Sequence, residues 1–229
     1  MILSLVLFLA VSNLQLDMIS VPLSKDVQVA MTSGGRLEMR REGTVTRVKL
    51  ELDKVAPPAM LGPTYNTYVV WAVSPEGILD NLGELDLNGT KGQFSGTTRL
   101  GELGVLITAE PHYMVDNPSA AVAYRAQPPQ DPRRKNAVIQ TGKYDYSMLK
   151  PTGAASLHGS VVQARMAFQI AQFLGADRLA PKEFRNAQVA AGAMEELVMR
   201  FAPLDVVWPM ANEAIRWSER AAEVSRQSH

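Results

Sequence analysis

The chain has no cysteine among its 229 residues, and this absence removes several chemistries at once. Disulfide crosslinks, thiolate metal sites, cysteine nucleophiles and a cysteine-linked lipid anchor are all excluded. Histidine is also scarce, since only His112, His158 and His229 are present. None of the three has a second ligand at a spacing typical of a metal site. The sequence therefore predicts no bound metal and no other cofactor.

The chain also lacks an excess of charge of either sign. Lys and Arg number 23, Asp and Glu number 23, and the formal net charge is zero. A nucleic-acid-binding domain usually carries a basic excess, so we expect no nucleic-acid partner. The one basic cluster is Arg133, Arg134 and Lys135. It is a candidate partner contact, at a phosphate or at lipid head groups, and the alternative is a solvated linker.

Recognisable catalytic motifs are absent as well. The sequence has no glycine-rich phosphate loop, and no serine lies in a nucleophile-elbow context. Asp80, Asp86 and Asn88 hint at calcium but lack the spacing of a calcium loop, so turn chemistry explains them better. The pair Glu195 and Glu196 fits a solvated helix face. We expect a protein that is not an enzyme; a catalytic function would need Glu and His side chains to meet in one pocket.

The first residues form the longest apolar run. Residues 2–11 are apolar except for Ser4, and about 20 residues are needed to span a bilayer. Three alternatives stay open: a retained membrane anchor, a signal segment cleaved near Ser12, or a core strand or helix of the folded domain. The candidate anchor residues are Ile2, Leu3, Leu5, Val6, Leu7, Phe8 and Leu9.

Period-two patterns with turn punctuation follow from Lys25. Residues 44–52 alternate cleanly, and residues 67–73 are rich in β-branched and aromatic side chains, as a buried strand would be. Gly34-Gly35 predicts a turn, and Asn88-Gly89 is a strong hairpin signal. About eight strands at regular spacing favour an antiparallel sandwich of immunoglobulin-like type.

The second half of the chain changes its pattern twice. Residues 127–153 begin with a proline-rich piece and read as a linker. From residue 154 the apolar residues recur at helical spacing, with Gly175 and Pro203 separating three helices. The stripe predicted for the second helix runs from Phe184 to Phe201, and that of the third is built from alanines.

The predicted fold class is therefore α+β, an antiparallel immunoglobulin-like β-sandwich followed by a three-helix antiparallel unit. The predicted segments are an apolar signal or anchor segment (1–24), the sandwich (25–126), a basic proline-rich linker (127–153) and the helical domain (154–229). Trp208 and Trp217 lie nine residues apart on the third helix, on opposite sides. One of them is expected to be exposed, and both are candidate partner contacts.

Two stretches resemble a known family. TYVVWAVSPEG, NLGEL and TTRLGELGVLITAEPHYMVDNPS, within residues 65–124, are similar to the amino-terminal β-domain of exported, envelope-associated proteins of Acidobacteria and related phyla. LGADRLAPKEFRNAQVAAGAMEELV and NEAIRWSERAAEVS, within residues 155–225, resemble the DUF4398-type helical module that follows it. The resemblance implies a bacterial envelope setting and supplies no catalytic residues.

The resulting expectation is a structural subunit on the periplasmic side of an inner or intracytoplasmic membrane. It would dock on a membrane protein complex, with the apolar start holding the chain at the bilayer. At the level of phylum, the resemblance extends this to an accessory subunit of a gemmatimonad-type photosynthetic reaction centre–light-harvesting complex. The alternative is a soluble periplasmic module that binds a glycan or peptide.

Overall fold

The computed structural model describes residues 2–7, 9–10, 13–21, 34–126, 136–151 and 157–228. The chain is α+β, with a large antiparallel sheet and four helices, as the sequence predicts. It divides into two compact units, Met1–Tyr146 and Ser147–His229, called here the β unit and the helical unit.

The β unit contains twelve strands in its described residues. They are β1 (Ile2–Leu7), β2 (Leu9–Ala10), β3 (Asn13–Ser20), β4 (Gly34–Glu42), β5 (Val45–Leu52), β6 (Thr67–Val73), β7 (Leu79–Glu84), β8 (Asp86–Asn88), β9 (Lys91–Thr98), β10 (Glu102–Glu110), β11 (Val122–Ala126) and β12 (Asn136–Thr141). Short 3-10 helices lie at Pro58–Met60 and Tyr146–Met148.

Ten of these strands form one antiparallel sheet in the order β7-β6-β10-β11-β3-β4-β5-β9-β8, with β2 paired to β10. The sheet curls so that β7, at one end of this order, returns to β9 near the other end. The Thr98 hydroxyl on β9 donates to Asp80 Oδ2 on β7 at 2.6 Å across this approach. Alternate residues of the strands face inward and form the apolar core of the unit.

The hairpins show how local chemistry sets the strand ends. Gly89 and Thr90 form the two-residue loop between β8 and β9, with Gly89 at φ +60°. The predicted Asn88-Gly89 hairpin is present, with its loop one residue later. The predicted turn at Gly34-Gly35 is wrong, because both residues belong to β4. A Cβ on Gly35 would lie 2.3 Å from the Glu51 carbonyl oxygen, so this glycine permits a close approach of β4 to β5.

The structure corrects two of the predicted segment boundaries. Residues 1–24 do not form a segment separate from the β unit, because β3 lies in the large sheet between β11 and β4. Leu14, Leu16 and Met18 alternate with more exposed Gln15 and Asp17, as a half-buried strand requires. The predicted linker 127–153 also contains β12, which pairs along its length with β1 in a separate two-stranded sheet.

The helical unit contains α1 (Gly159–Phe173), the short α2 (Ala176–Leu179), α3 (Pro181–Met199) and α4 (Leu204–Gln227). The helix α4 packs against both α1 and α3. Its buried face is made of small residues, including Ala211, Ala214 and Ala221, which allow the neighbouring helices to approach closely. The Arg165 guanidinium on α1 donates to both carboxylate oxygens of Glu195 on α3, at 2.6 and 2.7 Å.

Candidate docking site

A buried polar cluster lies on the side of the sheet opposite the main core. Trp71 Nε1 donates to Thr108 Oγ1 at 2.8 Å, and the Thr108 hydroxyl donates to Glu110 Oε1 at 2.5 Å. The Ser119 backbone N–H donates to the same carboxylate oxygen at 2.6 Å. The cluster therefore ties the loop that follows β10 back onto the sheet.

Burial governs the ionisation of this cluster and of the histidine beside it. Glu110 and His112 are both 0 % exposed. Desolvation raises the pKa of Glu110 to about 8, against the hydrogen bonds from Ser119 and Thr108, which lower it. Desolvation lowers the pKa of His112 to about 3. His112 Nδ1 accepts a hydrogen bond from the Met114 N–H at 3.1 Å, which orders the same loop.

The acidic groups named as alternatives do not converge. Among the described residues, no group of three or more His, Asp or Glu side chains could hold a metal ion. Asp80 accepts from Thr98, as described above, and Glu195 pairs with Arg165. Glu196 forms an ion pair with Arg200 one turn later on the chain. The carboxylates of Asp80, Glu195 and Glu196 therefore each contact another side chain of the same unit.

The helical unit exposes an apolar stretch of sequence at the corner between α3 and α4. We call it the α3–α4 corner, and it comprises Met199, Phe201, Leu204, Val206 and Trp208. Phe201 is 94 % exposed, Met199 is 71 % exposed and Trp208 is 52 % exposed. Soluble domains rarely leave large apolar side chains grouped in water, and such groups mark contact sites.

Phe201 departs from its predicted place in the buried stripe of α3. The helix ends at Met199, and Phe201 has φ +54°, in the left-handed region. The Phe201 N–H donates to the Val198 oxygen and the Ala202 N–H to the Leu197 oxygen, both at 3.0 Å. This pair of bonds is the Schellman motif, whose left-handed position glycine normally occupies. A phenylalanine there strains the backbone and leaves its ring in water.

Charge around the α3–α4 corner is sparse and balanced. Arg200 is paired with Glu196, and Asp205 lies in the first turn of α4. No lysine occurs between Met199 and Trp208. Surfaces that bind anionic lipid usually surround their apolar residues with lysine and arginine. The composition of the corner therefore suits an apolar pocket on a protein better than a lipid surface.

The other predicted contact residues are placed as follows. Trp217 is partly buried, and its Nε1 donates to Glu213 Oε1 at 2.7 Å, so Trp208 is the exposed member of the pair. Arg133, Arg134, Lys135 and Phe8 lie outside the described residues. Ile2, Leu3, Leu5, Val6 and Leu7 lie on β1, and Leu9 lies on β2. Their role as a membrane anchor stays a prediction.

A helix that crosses a bilayer needs about 20 consecutive, mostly apolar residues. None of the helices in the described ranges is both long and apolar enough to do so. No protein-family profile, no curated protein sequence and no solved structure matches this chain.

Proposed function

We propose that this protein is a non-enzymatic docking subunit whose α3–α4 corner inserts into an apolar pocket of a partner protein. The observation that carries the proposal is Phe201, a large ring held 94 % exposed on a strained backbone. Strained, exposed aromatic residues are disfavoured for stability and persist where they serve a contact. Leu204 and Trp208 extend the apolar surface along the first turns of α4.

The distribution of aromatic side chains supports the helical unit as the contact surface. In the described part of the β unit, every Trp, Tyr and Phe side chain is buried or partly buried. Glycan sites commonly present exposed rings, so the glycan-binding alternative has less support. The exposed aromatics of the described chain are Phe173, Phe201 and Trp208, all in the helical unit.

The proposed partner is a membrane protein complex reached from the periplasmic side. Its setting rests on the resemblance to envelope proteins, and its protein nature rests on the sparse and balanced charge around the α3–α4 corner. The immunoglobulin-like sandwich, the antiparallel order of three helices and the photosynthetic complex belong to the same proposal. They rest on the strand and helix patterns and on the phylum-level resemblance alone.

Site-specific photo-crosslinking in the source organism tests the proposal. A benzoylphenylalanine in place of Phe201 should give a discrete adduct with one membrane protein, identified by mass spectrometry. The matched control is the same probe at Val189, which is 68 % exposed on α3 away from the corner. Equal adducts from both positions, or none from Phe201, would contradict the proposal.

The substitution Phe201→Gly separates docking from folding. Glycine suits the left-handed position, so the free energy of unfolding of the variant should be about 1 kcal/mol higher than that of the wild type. Co-purification with the crosslinked partner should nevertheless fall. Sedimentation with phosphatidylglycerol vesicles provides the lipid arm. If the wild type binds the vesicles and Phe201→Gly does not, the corner binds a lipid surface and not a protein.

A further inference from the structure

The strand β12 has a neighbour on only one of its edges in the described structure. It pairs with β1 and with no other described strand. The N–H of Gly142, just beyond the strand, donates to the Pro118 oxygen at 2.8 Å and so points away from β1. Backbone groups alternate in direction along a strand, so the N–H and C=O of Gln140 point to this same open edge. No hydrogen bond joins Gln140 to a described residue across this open edge.

A cleft runs along this open edge. Its volume is about 560 Å³, and residues 139–143 form one wall. Gly77, Leu79 and Asn117 form the rest of the lining. Asn117 precedes Pro118, which places this wall on the side of β12 that faces away from β1. The volume lies within the range of roughly 300–1,000 Å³ that small-ligand sites occupy.

Polar groups also line the cleft. Lys143 is exposed, and its ammonium lies 5.3 Å from the ring centroid of Tyr144. Lys143 makes no ion pair with a described residue, and the side-chain amide of Asn117 makes no hydrogen bond to one. Leu79 and the buried Ile139 add apolar surface. The cleft thus combines a strand edge, an amide, an apolar wall and an exposed lysine ammonium.

We propose that this cleft binds an extended peptide, which adds to β12 as a further strand and places a carboxylate on Lys143. A peptide main chain offers N–H and C=O groups at the spacing of a strand. These groups would supply the hydrogen-bond partners that the N–H and C=O of Gln140 lack among the described residues. The carboxylate is an acidic side chain or a chain terminus, because both meet an ammonium in the same way. The site lies in the β unit and does not depend on the α3–α4 corner.

Selection from a phage-displayed library of random nonapeptides against the full chain tests the proposal. Enriched peptides should alternate apolar and polar residues and carry an acidic residue or a free carboxyl end. The best peptide is then synthesised with and without N-methyl groups at alternate positions. Methylation on the edge that faces β12 should weaken binding at least about tenfold, since it removes the donors without changing side chains. Equal binding of both forms would overturn the proposal, as would a selection without enrichment.

Two variants of the protein locate the peptide. Gln140→Pro removes the N–H on the open edge, where proline is tolerated, and should abolish binding while the thermal midpoint stays close to wild type. Lys143→Glu should also weaken binding. Lys91→Glu, at an exposed lysine on β9, is the matched charge control and should leave binding unchanged. If Gln140→Pro unfolds the chain, the methylated peptide and Lys143→Glu still decide the question. If neither Lys143→Glu nor Gln140→Pro changes the binding affinity, the peptide binds elsewhere and the assignment is refuted.

Discussion

At the scale of single residues, Glu110 and His112 show how burial controls charge. Both side chains are enclosed at the end of β10 and the start of its loop. Burial disfavours the charged form of each, which raises the pKa of the acid and lowers the pKa of the base. Both groups are therefore neutral in the folded protein near pH 7. A change of charge on either group therefore changes the stability of the fold.

Glu110→Gln should remove a loss of stability at alkaline pH. The Glu110 pKa is about 8 in the fold and near its ordinary value of 4.5 when unfolded, so the folded state holds the extra proton between these values. Stability contributed by this proton is lost as pH rises through that window. His112 has the opposite effect below its ordinary pKa of 6.5. There the unfolded state binds a proton that the folded state does not, so its contribution to stability rises with pH. The net decline in the wild type should therefore begin above about pH 6.5.

The measurement is urea unfolding from pH 6 to pH 9. The wild type should lose at most about 1.4 kcal/mol per pH unit up to pH 8, and Glu110→Gln should stay level. Glu51→Gln is the control, since Glu51 is exposed on β5. Parallel profiles for wild type and Glu110→Gln would show that Glu110 does not hold this proton.

At the scale of elements, the periodicity of the sequence predicts where a strand or helix lies better than it predicts where that element ends. The strand β6 occupies residues 67–73 as predicted, because a run of β-branched and aromatic residues leaves few alternatives. The stripe predicted for α3 continues to Phe201, two residues beyond the end of the helix at Met199. Helical spacing continues in the sequence after the backbone has turned, so the pattern alone could not reveal the exposed ring.

The strand β1 illustrates a pairing that no local pattern contains. Its apolar residues suit a membrane segment, a buried helix or a strand equally well. Only the antiparallel register, from Ile2 opposite Thr141 to Leu7 opposite Asn136, distinguishes the strand. The two partners lie more than a hundred residues apart, beyond the reach of any window of sequence.

Removal of residues 1–11 should release β12 without dissolving the large sheet. The N–H groups of Ile139 and Thr141 point towards β1, because those of Gln140 and Gly142 point away. Without β1, amide hydrogen exchange at Ile139 and Thr141 should accelerate by at least about tenfold. Amides of β4 that pair with β3, such as that of Leu37, should keep their protection. Unchanged exchange at Ile139 would mean that β1 does not pair with β12 in solution.

At the scale of the whole molecule, the two compact units should behave as separate folding units. The buried residues of α1, α3 and α4 pack against one another within residues 147–229. Residues 147–229 expressed alone should therefore give a helical circular dichroism spectrum and a cooperative thermal transition. In the full chain, Phe201→Gly should raise the transition of the helical unit only. An unfolded fragment, or a shift of both transitions together, would contradict this division.

The sequence alone determined the α+β class, most strand positions and the three long helices, because these follow from local periodicity, turn residues and propensity. It also excluded cysteine chemistry without reference to any fold. The tertiary structure decided which strands pair, and so placed β1 against β12 and β3 inside the sheet. It also decided which apolar residues stay in water, and so distinguished Phe201 from the buried stripe. Pairing and exposure depend on residues distant in the chain, and this is why only the folded molecule could reveal the cleft beside β12 and the exposed ring of Phe201.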